Sequence, residues 1–277
     1  MLRLITLSEN TAMLGDFLGE WGLSVLIEMD GETVLLDTGS GRAVVHNADR
    51  LGVDLRKVDK MVLSHGHYDH TGGLREVLRR TRKQVEIIAH PDIWQAKYAW
   101  REGQRARYIG IPFQRRELES LGASFRLTTE STPIGESILT TGEIPMVTDF
   151  ERIDSNLYVE NEGKLQPDKL ADDQALVVKT GQGLVVVLGC AHRGMVNTIY
   201  RAQQLTGVSQ IYAVVGGSHL IGASEEEVHK AIAALKDLNV QKLGLCHCTG
   251  LAAISVLARE FGNRFVFNAA GTVIEIG

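Results

Sequence analysis

Between Val62 and Leu74 the chain reads VLSHGHYDHTGGL, which places His65, His67, Asp69 and His70 within six residues directly after an apolar run. Imidazole nitrogen and carboxylate oxygen are ligands for zinc and, in mixed sites, for iron or manganese. In His65-x-His67 both rings can reach one cation from a bent loop, while Asp69 and His70 can point toward a second beside it. Gly66, Gly72 and Gly73 permit the tight path such a loop needs. The plain alternative is a set of solvated loop histidines. Chance clusters of that kind belong mostly to tags and exposed tracts, whereas this one follows a buried strand and precedes a helix.

Further donors lie late in the chain, where VVVLGCAH, AVVGGSHL and LGLCHCTG each pass from an apolar run to Gly or Cys and then His. Ligand sites in layered α/β folds gather at the carboxyl ends of strands. Cys190, His192, His219 and His247 therefore have a route to the first cluster. Cys190 reads as a thiolate ligand or as a buried structural thiol, a common fate for cysteine. His219 reads as a substrate contact or general acid, or as a strand-end histidine satisfied by backbone. Cys246 and Cys248 flank His247; in an extended segment they point away from it and read as packing residues. His46, His90 and His229 look incidental.

These residues need elements to hold them. LSVLIEMDGETVLLDTG reads as a hairpin turned at Asp30-Gly31, a strong tight-turn signal. Residues 41–52 look helical, VDKMVLSH is a strand ending at the histidines, GGLREVLRRT is a helix and QVEIIAHP a strand. Residues 91–130 are less regular. QALVVKTGQGLVVVLGCAH is a hairpin turned at Gly181-Gln182-Gly183. Helices and strands then alternate: MVNTIYRAQQLTG, IYAVVGGSH, SEEEVHKAIAALKDL with a Ser224/Glu227 capping box, KLGLCHC and LAAISVLAREFG. RFVFNAAGTVIEIG closes the chain with strand character. The pattern is α/β and layered.

HGHYDH resembles the H-x-H-x-D-H signature of the metallo-β-lactamase superfamily, and LLDTG, with Asp37, resembles its first motif, an aspartate that braces the metal loop. The resemblance spans essentially the whole chain. It implies an αββα sandwich with metals at one edge. It also implies a dinuclear centre built from His65, His67, Asp69, His70 and His247, with Asp69 as both ligand and proton acceptor. Between these the pattern departs. Asp172 and Asp173 stand before the hairpin where most members have a histidine, and Cys190 and His192 follow it. Cys190 then takes the place of a bridging aspartate and His192 supplies the third imidazole, with Asp173 the rival of Cys190. Two divalent ions are implied, zinc first, iron or manganese as alternatives. Such a pair lowers the pKa of bound water and polarises a phosphoryl or carbonyl oxygen.

A narrower resemblance, carried by LSHGHYDHTGGL, DDQALVV, GCAHRGMVNTI, GGSHL and HCTG, is to the 7,8-dihydropterin-6-methyl-4-(β-D-ribofuranosyl)-aminobenzene-5'-phosphate synthase-like subgroup. Three functions follow as expectations. One is a hydrolase of a small phosphorylated or ester substrate; another is a pterin transferase releasing pyrophosphate. The third is a non-catalytic pterin- or phosphate-binding protein.

Composition bounds the partners. A net charge of −5 gives no whole-molecule attraction to nucleic acid or acidic membranes. No apolar run approaches membrane-spanning length. Three cysteines, Cys190, Cys246 and Cys248, and a start without signal-peptide character point to a reducing cytoplasm. We expect one domain over residues 1–277. Within it, an insert at about 91–130 carries Lys97, Arg101, Arg105, Arg107, Arg115 and Arg116 among aromatics, suited to clamp an anionic, flat, pterin-like small molecule as a lid. The same stretch also suits a solvated amphipathic helix or a contact in a homo-oligomer.

Overall fold

Runs such as LSVLI and GLVVVL are apolar at consecutive positions, which a strand tolerates when both of its faces are covered. The computed structural model, which describes residues 1–277, covers both. The first sheet runs β16 (Val273–Ile276), β1 (Leu2–Ser8), β2 (Ser24–Met29), β3 (Glu32–Leu36), β4 (Lys60–Val62), β5 (Val85–Ala89), β8 (Ala123–Leu127). The second runs β15 (Lys242–Cys246), β14 (Ile211–Gly217), β13 (Gly183–Leu188), β12 (Ala175–Thr180), β9 (Ile138–Thr140).

Successive side chains on a strand point to opposite faces. Leu4, Ile27, Leu36 and Val62 of the first sheet thus meet Leu176, Val178, Val187 and Val215 of the second in one buried cluster. Their neighbours Ile5, Leu26 and Leu35 face the other way, under α1 (Ala43–Arg50), α3 (Leu74–Thr81) and α4 (Arg115–Ser120). Val177, Val186 and Val214 face α5 (Met195–Thr206), α6 (Glu225–Asp237) and α7 (Leu251–Phe261). The layers are helix, sheet, sheet, helix, the αββα sandwich expected from the motifs.

Turn chemistry sets the register. Met29 pairs with Glu32 across Asp30 and Gly31, whose φ values of 53° and 86° are those of a two-residue turn with positive φ at both positions. Ser224 and Glu227 form the capping box that starts α6. Strands β3, β4, β5 and β8 run parallel, as do β13, β14 and β15. A parallel pair needs a crossover, so in each set the carboxyl ends share one edge. No helix is long and apolar enough to cross a membrane.

Two stretches differ from the sequence reading. Within 91–130, β6 (Lys97–Ala99) and β7 (Arg107–Tyr108) join β10 (Leu157–Asn161) and β11 (Lys164–Pro167) in a small third sheet, while α4 and β8 belong to the first sandwich half. At the C-terminus only Val273–Ile276 is a strand; before it the Asn268 side chain bonds Thr6 and the Gly244 carbonyl, which takes that segment out of a regular ladder.

Candidate metal centre

The histidine loop is held by a buried acid. Asp37 follows β3 and is fully buried. Its carboxylate accepts from the Ser64 amide at 2.7 Å, from Ser64 Oγ at 2.6 Å and from His70 Nδ1 at 2.7 Å. Because Ser64 Oγ donates to Asp37, it accepts from His65 Nδ1, 2.9 Å away. That leaves Nε2 of both His65 and His70 with free lone pairs. The loop then folds into a one-turn helix, α2 (Tyr68–Thr71), which brings Asp69 and His70 onto one side.

The second sheet reaches the loop through β13. A Cβ on Gly189 would lie 2.1 Å from Ser64 Oγ, so only glycine allows the strand end to come this close. Cys190 and His192 follow at once. His65 Nε2 is 2.9 Å from His67 Nδ1 and 3.3 Å from His192 Nε2. His70 Nε2 is 3.0 Å from Cys190 Sγ, and Asp69 Oδ2 is 3.4 Å from His247 Nε2 and 3.9 Å from His70 Nε2. Cys190 thus belongs to both groups: with His65 and His192, and with His70 and His247.

His65 Nε2 faces His67 Nδ1 and His192 Nε2 at these short distances, and His247 Nε2 is buried without a hydrogen-bond partner. Nitrogens that face one another with lone pairs repel unless something positive lies between them. Donors ~2.0–2.1 Å from one tetrahedral zinc are themselves roughly 3.3 Å apart, close to the spacing here. Burial also keeps the rings neutral: it pushes His65 and His192 well below the ordinary imidazole value and His67 to about 3. His70 is the exception. Burial opposes its charge, but the Asp37 and Asp69 carboxylates outweigh burial and raise it to about 9, so its Nε2 side favours a proton or a cation in that proton's place. Burial raises Asp69, yet the flanking His70 and His247 bring it below the usual carboxylate range. The residues present fit divalent cations.

His219 stands at the end of β14 with its ring centroid 4.1 Å from His192. Asp154 Oδ2 is 4.0 Å from its Nε2. Burial lowers its basicity, while Asp154 and Cys248 raise it to about 10. Asp173, the rival of Cys190, is in none of the donor groups; its Oδ2 accepts from the Arg193 amide at 2.9 Å, bracing the turn that carries His192, and its buried Oδ1 has no partner. Burial raises Asp173 to about 7. His46, His90 and His229 bond to Asp16, Glu143 and Glu225, away from the centre.

The sequence did not reveal several residues of this site. Asn10 accepts from His247 Nδ1 at 2.9 Å and donates to the His247 carbonyl; Glu9 accepts the His247 amide at 2.7 Å. Asp172 accepts the Gly66 amide at 2.8 Å, and its other oxygen meets the fully buried Lys97, which also bonds Asp168. Lys97 is therefore committed to an internal ion pair and not free to clamp an anion. Cys248 is also near Cys190 and His219 rather than turned away. The extended geometry assumed for it fails because His247, with φ 54°, opens a short 3₁₀ turn over His247–Thr249. The available signal was position: Glu9-Asn10 follow β1 as the histidines follow β4.

Two cavities flank the donors. One of about 370 Å³ is lined by Arg101, Arg152, Asp154, His192 and His219. The other, about 1090 Å³ and largely apolar, is lined by Trp21, His247, Leu251, Ile254 and Phe267.

A family model for the metallo-beta-lactamase superfamily matches residues 22–195. The 7,8-dihydropterin-6-methyl-4-(beta-D-ribofuranosyl)-aminobenzene-5'-phosphate synthase of Methanocaldococcus jannaschii is 32% identical over 99% of this chain and 96% of its own. An uncharacterized protein of the same organism is 31% identical over 98% of both chains. A crystal structure of a metal-dependent hydrolase of the beta-lactamase superfamily matches with a TM-score of 0.86 and 31% identity, covering 100% of this chain and 99% of the other.

Proposed function

Since this chain belongs to the metallo-β-lactamase superfamily, whose members typically bind divalent metals, we propose that it is a two-metal hydrolase of a small phosphorylated or ester substrate. The observation that carries this reading is the meeting of seven donor side chains, from both sheets, in two groups that share Cys190. His65, His67 and His192 would hold one cation. Asp69, His70 and His247 would hold the other, and Cys190 lies close to both groups. The thiolate and imidazole donors favour zinc. Such a pair supplies a water of lowered pKa and polarises the oxygen of the bond to be broken.

The chain's own groups do the rest. Asp69 orients its neighbours and accepts a proton on its carboxylate. His219, kept protonated beside Asp154, presents positive charge to an anionic substrate on the floor of the smaller cavity. Arg101, from the β6–β7 segment of the insert, the part that we propose acts as a lid, and Arg152 line the same cavity and suit phosphate oxygens. The apolar cavity beside His247 takes the uncharged organic part.

A second reading, favoured by 32% identity to the pterin-linked synthase over nearly the whole chain, is transfer: a dihydropterin pyrophosphate condenses with an aminobenzoate-type amine and releases pyrophosphate. One experiment separates the two. Metal content is measured by elemental analysis, and the protein is assayed on phosphoesters and, separately, on dihydropterin pyrophosphate with p-aminobenzoate. Phosphate release without the amine supports hydrolysis, whereas amine-dependent pyrophosphate release supports transfer. In either case His67→Ala lowers bound metal and abolishes turnover. Full metal and full turnover in that variant overturn the assignment.

A further inference from the structure

Beside the two donor groups lies a third that neither uses in full. Cys190 Sγ, Cys248 Sγ and a ring nitrogen of His219 all lie within 4.8 Å of one another. Both cysteines are free thiols and buried. Neither His219 ring nitrogen has a hydrogen-bond partner, although both atoms are buried. The Cys248 sulfur accepts the His219 amide at 3.3 Å, which ties the two residues to each other.

The backbone builds this corner. His219 and His247 both have left-handed φ, 47° and 54°, a conformation uncommon for residues other than glycine. The first turns the His219 ring back toward His192 at the end of β14. The second opens the 3₁₀ turn that swings Cys248 inward. Two unusual turns on adjacent strands converge on one sulfur, that of Cys190.

We propose that Cys190, Cys248 and His219 form a third cation position, selective for thiophilic ions of the zinc class and joined to the pair through the Cys190 sulfur. Two thiolates and an imidazole are a zinc donor set, and the Cys190 thiolate, with three lone pairs, has one left for a third ion beside the pair. Hard ions such as magnesium are disfavoured, because they need several oxygen ligands and the three donors here are two sulfurs and a ring nitrogen. Binding displaces the thiol protons and the proton His219 otherwise carries. Positive charge at the floor of the smaller cavity is thereby kept, now on a cation. Three protein donors leave a fourth position for a ligand from that cavity. The proposal goes beyond the hydrolase reading, because it concerns binding alone.

The test counts ions. The full-length protein is dialysed against micromolar cadmium chloride with a non-thiol reductant. Bound cadmium per chain and thiolate-to-cadmium ultraviolet absorbance are then measured. Wild type is expected to bind three ions. Cys248→Ser and His219→Ala are each expected to bind at least one fewer, with lower absorbance for Cys248→Ser. If Cys248→Ser fails to fold, as judged by circular dichroism, His219→Ala carries the comparison. Two ions in wild type and in both variants, with unchanged absorbance, overturn the third position and leave the pair standing. Equal binding of any number by wild type and both variants also overturns it, and no binding at all overturns the pair as well.

Discussion

Three imidazoles of the centre keep one nitrogen bound to the protein. His65 is tied to Ser64, His70 to Asp37 and His247 to Asn10. Each such bond fixes which nitrogen carries the proton, and so which one carries the lone pair. Asn10 is the partner least visible from sequence. It lies 237 residues from His247, and only its place just after β1 marks it. His65, His67, Asp69 and His70 could be expected to gather because a strand-end loop brings them together by itself. Cys190, His192 and His247 could be expected to join them because each follows an apolar run, and parallel strands share an edge. Lys97 and Asp172 could not, since their pairing depends on the third sheet docking against the loop. Asn10→Ala removes the acceptor for His247 Nδ1 and lets the ring turn. Loss of such a partner typically lowers metal affinity 10- to 100-fold. We expect competition with a chromophoric chelator to show a loss of that size for one ion, with the other nearly unchanged. Wild-type affinity for both would show that the Glu9 and backbone contacts already suffice to hold His247.

At the scale of elements, α5 has to start immediately after Cys190 and His192, and Glu151 is what starts it. Its two carboxylate oxygens accept the Val196 and Asn197 amides, each at 2.8 Å, and Thr148 adds a third bond. An acid is favoured at a helix N-terminus, yet here burial outweighs the amide bonds and raises Glu151 above the ordinary carboxylate value. The folded state therefore holds the Glu151 proton more tightly than the unfolded state, whose value is about 4.3. This contribution is fully present below that value and is lost as pH rises through the higher folded one. Glu151→Gln keeps an acceptor and removes the titration. In thermal melts from pH 4 upward, wild type should lose stability relative to Glu151→Gln across this window. Parallel melting curves for the two proteins would contradict the assignment. The sequence marked α5 by its periodicity but not this cap, because Glu151 comes from a distant loop rather than from the residues just before the helix.

At the scale of the whole molecule, the donors divide by sheet. His65, His67, Asp69 and His70 follow β4 of the first sheet; Cys190, His192 and His247 follow β13 and β15 of the second. A layered α/β fold was legible in the alternation of strands and helices, while the αββα sandwich followed only from the resemblance that the histidine motif carries. The third sheet was not, because its strands are short and partly exposed and carry no strong alternation. The division has a thermodynamic consequence. Cations bound across the edge of the sandwich cross-link its two halves and stabilise only the folded state. A ligand at 1,000 times its dissociation constant adds about 4 kcal/mol, which for a domain of this size corresponds to a melting shift on the order of 10 °C. Chelation should therefore lower the midpoint by at least that much. Hydrogen exchange should quicken first in the segments around 63–70, 189–193 and 246–249. The strands of the inter-sheet cluster, which are held by apolar packing rather than by the donors, should keep their protection. A midpoint that does not move after elemental analysis shows the metal to be gone would mean that Asp37, Ser64 and Asn10 hold the edge together unaided, and that the cations serve chemistry alone.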